Sequence, residues 1–196
     1  MCKVPFTVAA ILITLAVPAQ TLNTVGVTLL RSVTTNVDGT GIRVAQPEAS
    51  ANLGTNWEIN PNTINRPIGF ITFTSANGST TSFPNSLSSE SSHADTVAGF
   101  FYGVAGGVAT NVAHVDNYDA SYFYNSIINA LSPVNIQDPV VNQSFNFSST
   151  TVSQQQQIDS AYDNYAVQFS TLFVSGAGNG GPVNPPATCY NGIGVG

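Results

Sequence analysis

The sequence predicts an α/β domain built on a mostly parallel sheet with helices on both faces. Three observations carry that expectation. Short strand-like runs recur at residues 42–45, 111–115, 140–145 and 171–175. Helical segments stand between several of them, and strands alternating with helices give parallel sheets with right-handed crossovers. The segment 153–169 places Ile158, Ala161, Tyr162, Tyr165, Ala166 and Phe169 close to the 3.6-residue spacing of a half-buried helix.

Before the domain, Lys3 is followed by an apolar run over residues 6–17 and by Val17-Pro18-Ala19. That is the pattern of a secretory signal over residues 1–19, and the run is too short for a comfortable membrane span. A secreted, extracellular protein without a stable membrane anchor is expected. Residues 20–37 read as a short, weakly strand-like leader, and residues 38–196 as the domain. The chain has 196 residues and a net charge of −6. Its basic residues are Lys3, Arg31, Arg43 and Arg66, and seven of the ten acidic residues follow Arg66. A nucleic-acid partner is excluded, because gripping phosphates takes several Lys or Arg contacts. Cys2 leaves with the signal, so Cys189 cannot make an internal bridge: it is free, or its partner lies outside this stretch. No CxxC or HExxH pattern is present, and neither a metal nor another cofactor is expected.

In order, Asp38-Gly39-Thr40-Gly41 is a turn signal ahead of the strand at 42–45. Pro47 should stop that strand near Gln46, leaving Glu48 just past its carboxyl end. Residues 49–66 read as a long irregular loop around Trp57, and 68–74 as an edge strand ending at Asn77-Gly78. His93 stands in the first turn of a short helix that continues through Val97, Ala98, Phe101 and Tyr102. An imidazole so held can serve as a general base. On the nine residues 91–99 alone, a helix-start histidine without chemistry is the commoner outcome. Asp119 can cap a helix whose Phe123, Ile127, Ala130 and Leu131 share a face until Pro133 ends it. Ser153 with Gln156 reads as a capping box, and residues 193–195 begin a last strand.

Gly176-Ala177-Gly178-Asn179-Gly180-Gly181 fits the dinucleotide pattern GxGxxG after a strand. Pro182, Pro185 and Pro186 follow, however, so the helix that such a motif needs cannot start.

From about Gly39 to Gly196 the chain resembles the subtilases, the subtilisin-like serine peptidases. Gly39-Thr40-Gly41-Ile42-Arg43-Val44-Ala45-Gln46-Pro47-Glu48 parallels the family's GxGVxVAVIDTG, and His93-Ala94-Asp95-Thr96-Val97-Ala98-Gly99 its HGTHVAG. Val140-Val141-Asn142-Gln143-Ser144-Phe145-Asn146 stands where the family has VINMSLG. The stretch from Leu172 to Gly181 stands where it has VVVAAGNxG. The resemblance implies a three-layer subtilisin-like fold, with His93 as general base and Asn179 as oxyanion donor. It implies that Ser144, Phe145, Asn146, Gly176, Ala177 and Gly178 hold a peptide or protein substrate as an added strand. Glu48 takes the place of the family's Asp, its extra methylene moving the carboxylate by about 1.5 Å. Asp38 precedes the strand, at the wrong end of the sheet, and Asp95 faces elsewhere on its helix. The family's serine, in a GTSxA-type helix start, has no counterpart before Gly196. Two functions remain open: a secreted serine endopeptidase whose serine helix lies outside this stretch, or a non-catalytic secreted relative that binds peptides or serves only structure.

Overall fold

The computed structural model describes residues 22–50, 56–83, 89–148 and 150–196. The signal assigned to 1–19 and the first two leader residues lie outside them. No helix among the described residues is long and apolar enough to cross a membrane.

The described part of the leader is not a strand: it turns and then forms α1 (Val27–Val33), which buries only Val27. Strands follow as β1 (Arg43–Glu48), β2 (Asn56–Glu58), β3 (Ile71–Thr74), β4 (Thr80–Ser82) and β5 (Ser89–Glu90). Then come α2 (Ser92–Phe101), β6 (His114–Asp119), α3 (Ala120–Tyr122), β7 (Val140–Gln143), α4 (Val152–Phe169), β8 (Leu172–Gly176) and β9 (Gly192–Val195). Seven strands form one sheet in the order β4-β3-β6-β1-β7-β8-β9. Every pairing in it is parallel except the β3–β4 hairpin. The described chain is therefore an α/β fold with a mostly parallel sheet.

Alternation along β1 sorts the two cores. Val44 packs with Trp57, Ile71, Phe73, Val115 and the α2 residues Ala94, Ala98 and Tyr102. Ala45, one residue on, packs on the opposite face with Val141, Phe173 and the α4 residues Ile158, Tyr162, Tyr165 and Ala166. Successive strand residues point to opposite faces, so β1 serves both. Helices thus cover both faces, as the sequence predicts.

Several boundaries differ from expectation. Pro47 does not stop β1, which runs through Glu48. Its pairing with β7 covers only Val44 and Ala45, so the strand is one-sided where the proline stands. The strand placed at 68–74 starts at Ile71 and is not an edge; β4, reached through the turn at Asn77-Gly78, takes that position. The strand expected over 111–115 runs instead from His114 to Asp119. The loop at 49–66 contains β2, which pairs with β5 in a separate two-stranded sheet.

Asp119 does cap α3, accepting hydrogen bonds from the Ser121 and Tyr122 N–H groups at 2.9 and 3.1 Å. The helix then widens into a π-helix over Phe123–Ile128. The wider turn brings Ile128 inside with Phe123 and Ile127 and leaves Leu131 fully exposed, so the four-residue face drawn through Leu131 is not formed. The capping box of α4 is Thr151 with Gln154, not Ser153 with Gln156, and the helix starts at Val152.

Candidate functional site

Glu48, His93 and Asn179 come from three separate elements, and the topology explains why they can meet. After β1 the chain moves to the β3–β6 side of the sheet; after β6 it crosses β1 to add β7. The carboxyl end of β1 is thus a point where connections leave in opposite directions, and such points in parallel sheets open a crevice. Glu48 is the last residue of β1.

His93 is aimed by the start of α2. Ser91 caps that helix, its hydroxyl accepting the Ala94 N–H at 3.3 Å. The Ser91 N–H donates to the Glu58 carbonyl at 2.9 Å, so β2 and β5 feed the first turn directly. Asp95 accepts the Asn60 N–H at 2.7 Å, which accounts for its carboxylate and turns it away from His93. Asp38 likewise works within its turn, accepting from the Thr40 N–H and hydroxyl.

The Glu48 Oε2 atom lies 3.7 Å from His93 Nε2, within the ~3–4 Å looked for in an unliganded acid–base pair. The two groups differ sharply in setting: the His93 side chain is 58% exposed and that of Glu48 1%. Burial drives the Glu48 carboxyl up to about 7, against a downward pull from its hydrogen bond with Gln46. Among the described residues no side chain hydrogen-bonds the His93 ring.

In front of His93 lies a cleft of about 390 Å³. Ser144, Phe145, Asn146, Gly176, Gly178 and Asn179 line it, together with His93. Ala177 does not; its N–H pairs with the Val195 carbonyl at 2.7 Å and ties the loop after β8 to β9. Glu48 lies behind the histidine rather than in the cleft wall. Asn142, Gln143, Val174 and Ser175, which lie in the stretches that carry the resemblance but have no site role there, complete the lining with Val195 and Gly196. Their signal was available, since they flank the loops that follow β7, β8 and β9. No protein-family model matches this chain. No curated protein matches it either.

Gly178 shapes the cleft through its backbone. Its φ is +107°, and a Cβ there would stand 3.3 Å from Asn146 Nδ2. Gly178→Ala is expected to cost about 1–2 kcal/mol of stability through backbone strain and to push Asn146 out of line. Denaturant melts alongside titration of an extended peptide check this; unchanged binding would show that the Asn146 side of the cleft is not used.

Proposed function

We propose that the chain carries the peptide-binding cleft and the acid–base pair of a secreted, subtilisin-like serine endopeptidase, which cleaves peptide bonds by acyl transfer. The observation that carries this reading is the convergence of Glu48, His93 and Asn179 at the carboxyl edge of one parallel sheet. In this assignment Glu48 orients the imidazole and stabilises the imidazolium. The ring nitrogen not turned to Glu48 takes the proton from the attacking hydroxyl and returns it to the leaving amine. The Asn179 amide donates to the carbonyl oxygen as it becomes an oxyanion. Ser144 to Asn146 on one side and Gly176 to Gly178 on the other would hold an extended substrate between them by main-chain hydrogen bonds.

The sheet face on the α2 side adds support. Leu172 pairs with Val140, which packs in the α2 core, so Leu172, Val174 and Ile193 share that face. No described helix covers it: Leu172 is 41% exposed and Ile193 50%.

One observation favours the second reading, a non-catalytic relative that keeps the cleft for binding. The Glu48 carboxylate stands 3.7 Å from His93 Nε2, longer than a hydrogen bond, so the acid is not closed onto the ring. An extended peptide titrated into the isotope-labelled chain tests both. Resonance shifts should centre on His93, Ser144 to Asn146 and Gly176 to Asn179. Shifts centred elsewhere, or none at millimolar peptide, overturn the cleft assignment. A fluorophosphonate label mapped to one serine of this chain would eliminate the non-catalytic alternative; we expect binding without a label.

A further inference from the structure

Gln46 is a buried amide on the central strand, two residues before Glu48 and on the same face. Each of its side-chain polar atoms is engaged. Nε2 donates to Glu48 Oε1 at 2.7 Å and to the Ala94 carbonyl at 3.1 Å. Oε1 accepts from the Tyr102 hydroxyl at 2.7 Å. The partners leave one orientation for the amide. A carbonyl can only accept, and so can an ionised carboxylate, so the NH₂ must face Ala94 and Glu48. The Tyr102 hydroxyl, fully buried, then supplies the proton for Oε1.

The backbone at this point is fixed as well. Asn117 Nδ2 donates to the Gln46 carbonyl at 2.8 Å, and Asn117 Oδ1 accepts the Ile59 N–H at 3.2 Å. Ala94 immediately follows His93 on α2. One side chain therefore bridges the acid, the turn that carries the base, and the far end of the same helix at Tyr102.

We propose that Gln46 is a positioning residue for the Glu48–His93 pair: anchored by Tyr102, its amide locks the carboxylate and the first turn of α2 into one unit. This rests on the assignment of Glu48 and His93 as acid and base. A glutamate has one more rotatable bond than an aspartate, and a strand alone cannot fix its carboxylate. The NH₂ group of Gln46 removes that freedom from one oxygen, Oε1, and leaves Oε2 directed at His93. It also donates to the ionised form and so favours the carboxylate over the acid. Without it, Glu48 would keep its proton to higher pH and could not receive imidazolium charge.

The test uses the full chain and needs no turnover. Carboxyl-carbon NMR follows the Glu48 titration in the wild type, Gln46→Leu and Tyr102→Phe. The Glu48 midpoint should rise by about one pH unit in Gln46→Leu, the size expected for loss of a charge-assisted hydrogen bond. Tyr102→Phe should move it the same way by less, because the amide survives but its orientation is no longer fixed. Side-chain packing alone would move neither midpoint. Folded variants with an unshifted Glu48 overturn the proposal. The wild type supplies a reading that no unfolded variant can spoil: the Gln46 NH₂ protons should exchange slowly with water and show close contacts to Ala94. Fast exchange overturns the proposal by itself. These readings are independent of substrate, so a cleft that binds no peptide would sink the endopeptidase assignment while leaving the Gln46 result interpretable.

Discussion

Replacing Tyr162 by alanine will destabilise the domain by about 3–5 kcal/mol, the range for removing a fully buried aromatic ring. Its ring meets Phe173 edge-on at 5.0 Å and stacks near Tyr124 at 6.2 Å. Its hydroxyl donates to Gln143 Oε1 at 2.7 Å, and Gln143 Nε2 in turn donates to Ser175 Oγ at 3.1 Å. Gln143 and Ser175 stand in the cleft lining, so the loss should propagate to the cleft. Tyr162→Phe separates the two effects. It keeps the ring and strands one buried acceptor, at a cost of about 1–3 kcal/mol. Urea melts of the three proteins measure both. An alanine variant that loses less than the phenylalanine variant would show that α4 is not holding β7 and β8 from behind.

The chain should also lose on the order of 6–9 kcal/mol of stability between roughly pH 4 and pH 9, from two buried carboxyls. Asp138 has a fully buried side chain, and its oxygens have no hydrogen-bond partner among the described residues. Arg43 Nε comes within 3.8 Å of it, but the same guanidinium is already engaged with Asp116. Burial raises the Asp138 carboxyl well above the usual range, and the neighbouring Asp116 charge raises it further. Glu48 moves in the same direction, to about 7. Both groups hold a proton more tightly folded than unfolded. Their contribution is complete below the ordinary carboxylate range and is lost as pH climbs through the folded values. Asp138→Asn should flatten most of the slope and make the protein more stable above neutrality. A flat wild-type profile would mean that Asp138 is solvated or neutralised in solution.

What could be read from the sequence depended on how far apolar periodicity reached. The long helix α4 was legible because its buried residues are apolar or aromatic and recur at helical spacing. The strands expected at 140–145, 171–175 and 193–195 are formed as β7, β8 and β9, whereas β1 and β6 were legible in their first halves only. In β1 the buried positions run from Val44 and Ala45 into Gln46, Pro47 and Glu48. In β6, Val115 is followed on its face by Asn117 and Asp119, both buried. Buried polar residues look like loop in a sequence, so both strands seemed to end, or to lie, too early. These polar ends sit at the carboxyl edge, where Glu48 and its supports are held. The order of strands, the two-stranded sheet that feeds α2, and the π-turns after α3 had no local signal. They follow from packing between segments far apart in the chain.

The three arginines of the described chain are all spent inside the fold. Arg31 donates to the Gly107 and Val108 carbonyls, Arg43 to Asp116, and Arg66 to the Tyr102 and Thr110 carbonyls while lying over Phe70. Arg43 lies in the central strand, and Arg66 is followed by Pro67, which blocks cleavage by trypsin-type enzymes. No lysine or arginine occurs beyond that point. A digestive enzyme that needs a basic side chain in its pocket therefore finds scarcely any bond to open until the domain unfolds, and even then residues 44–196 stay in one piece.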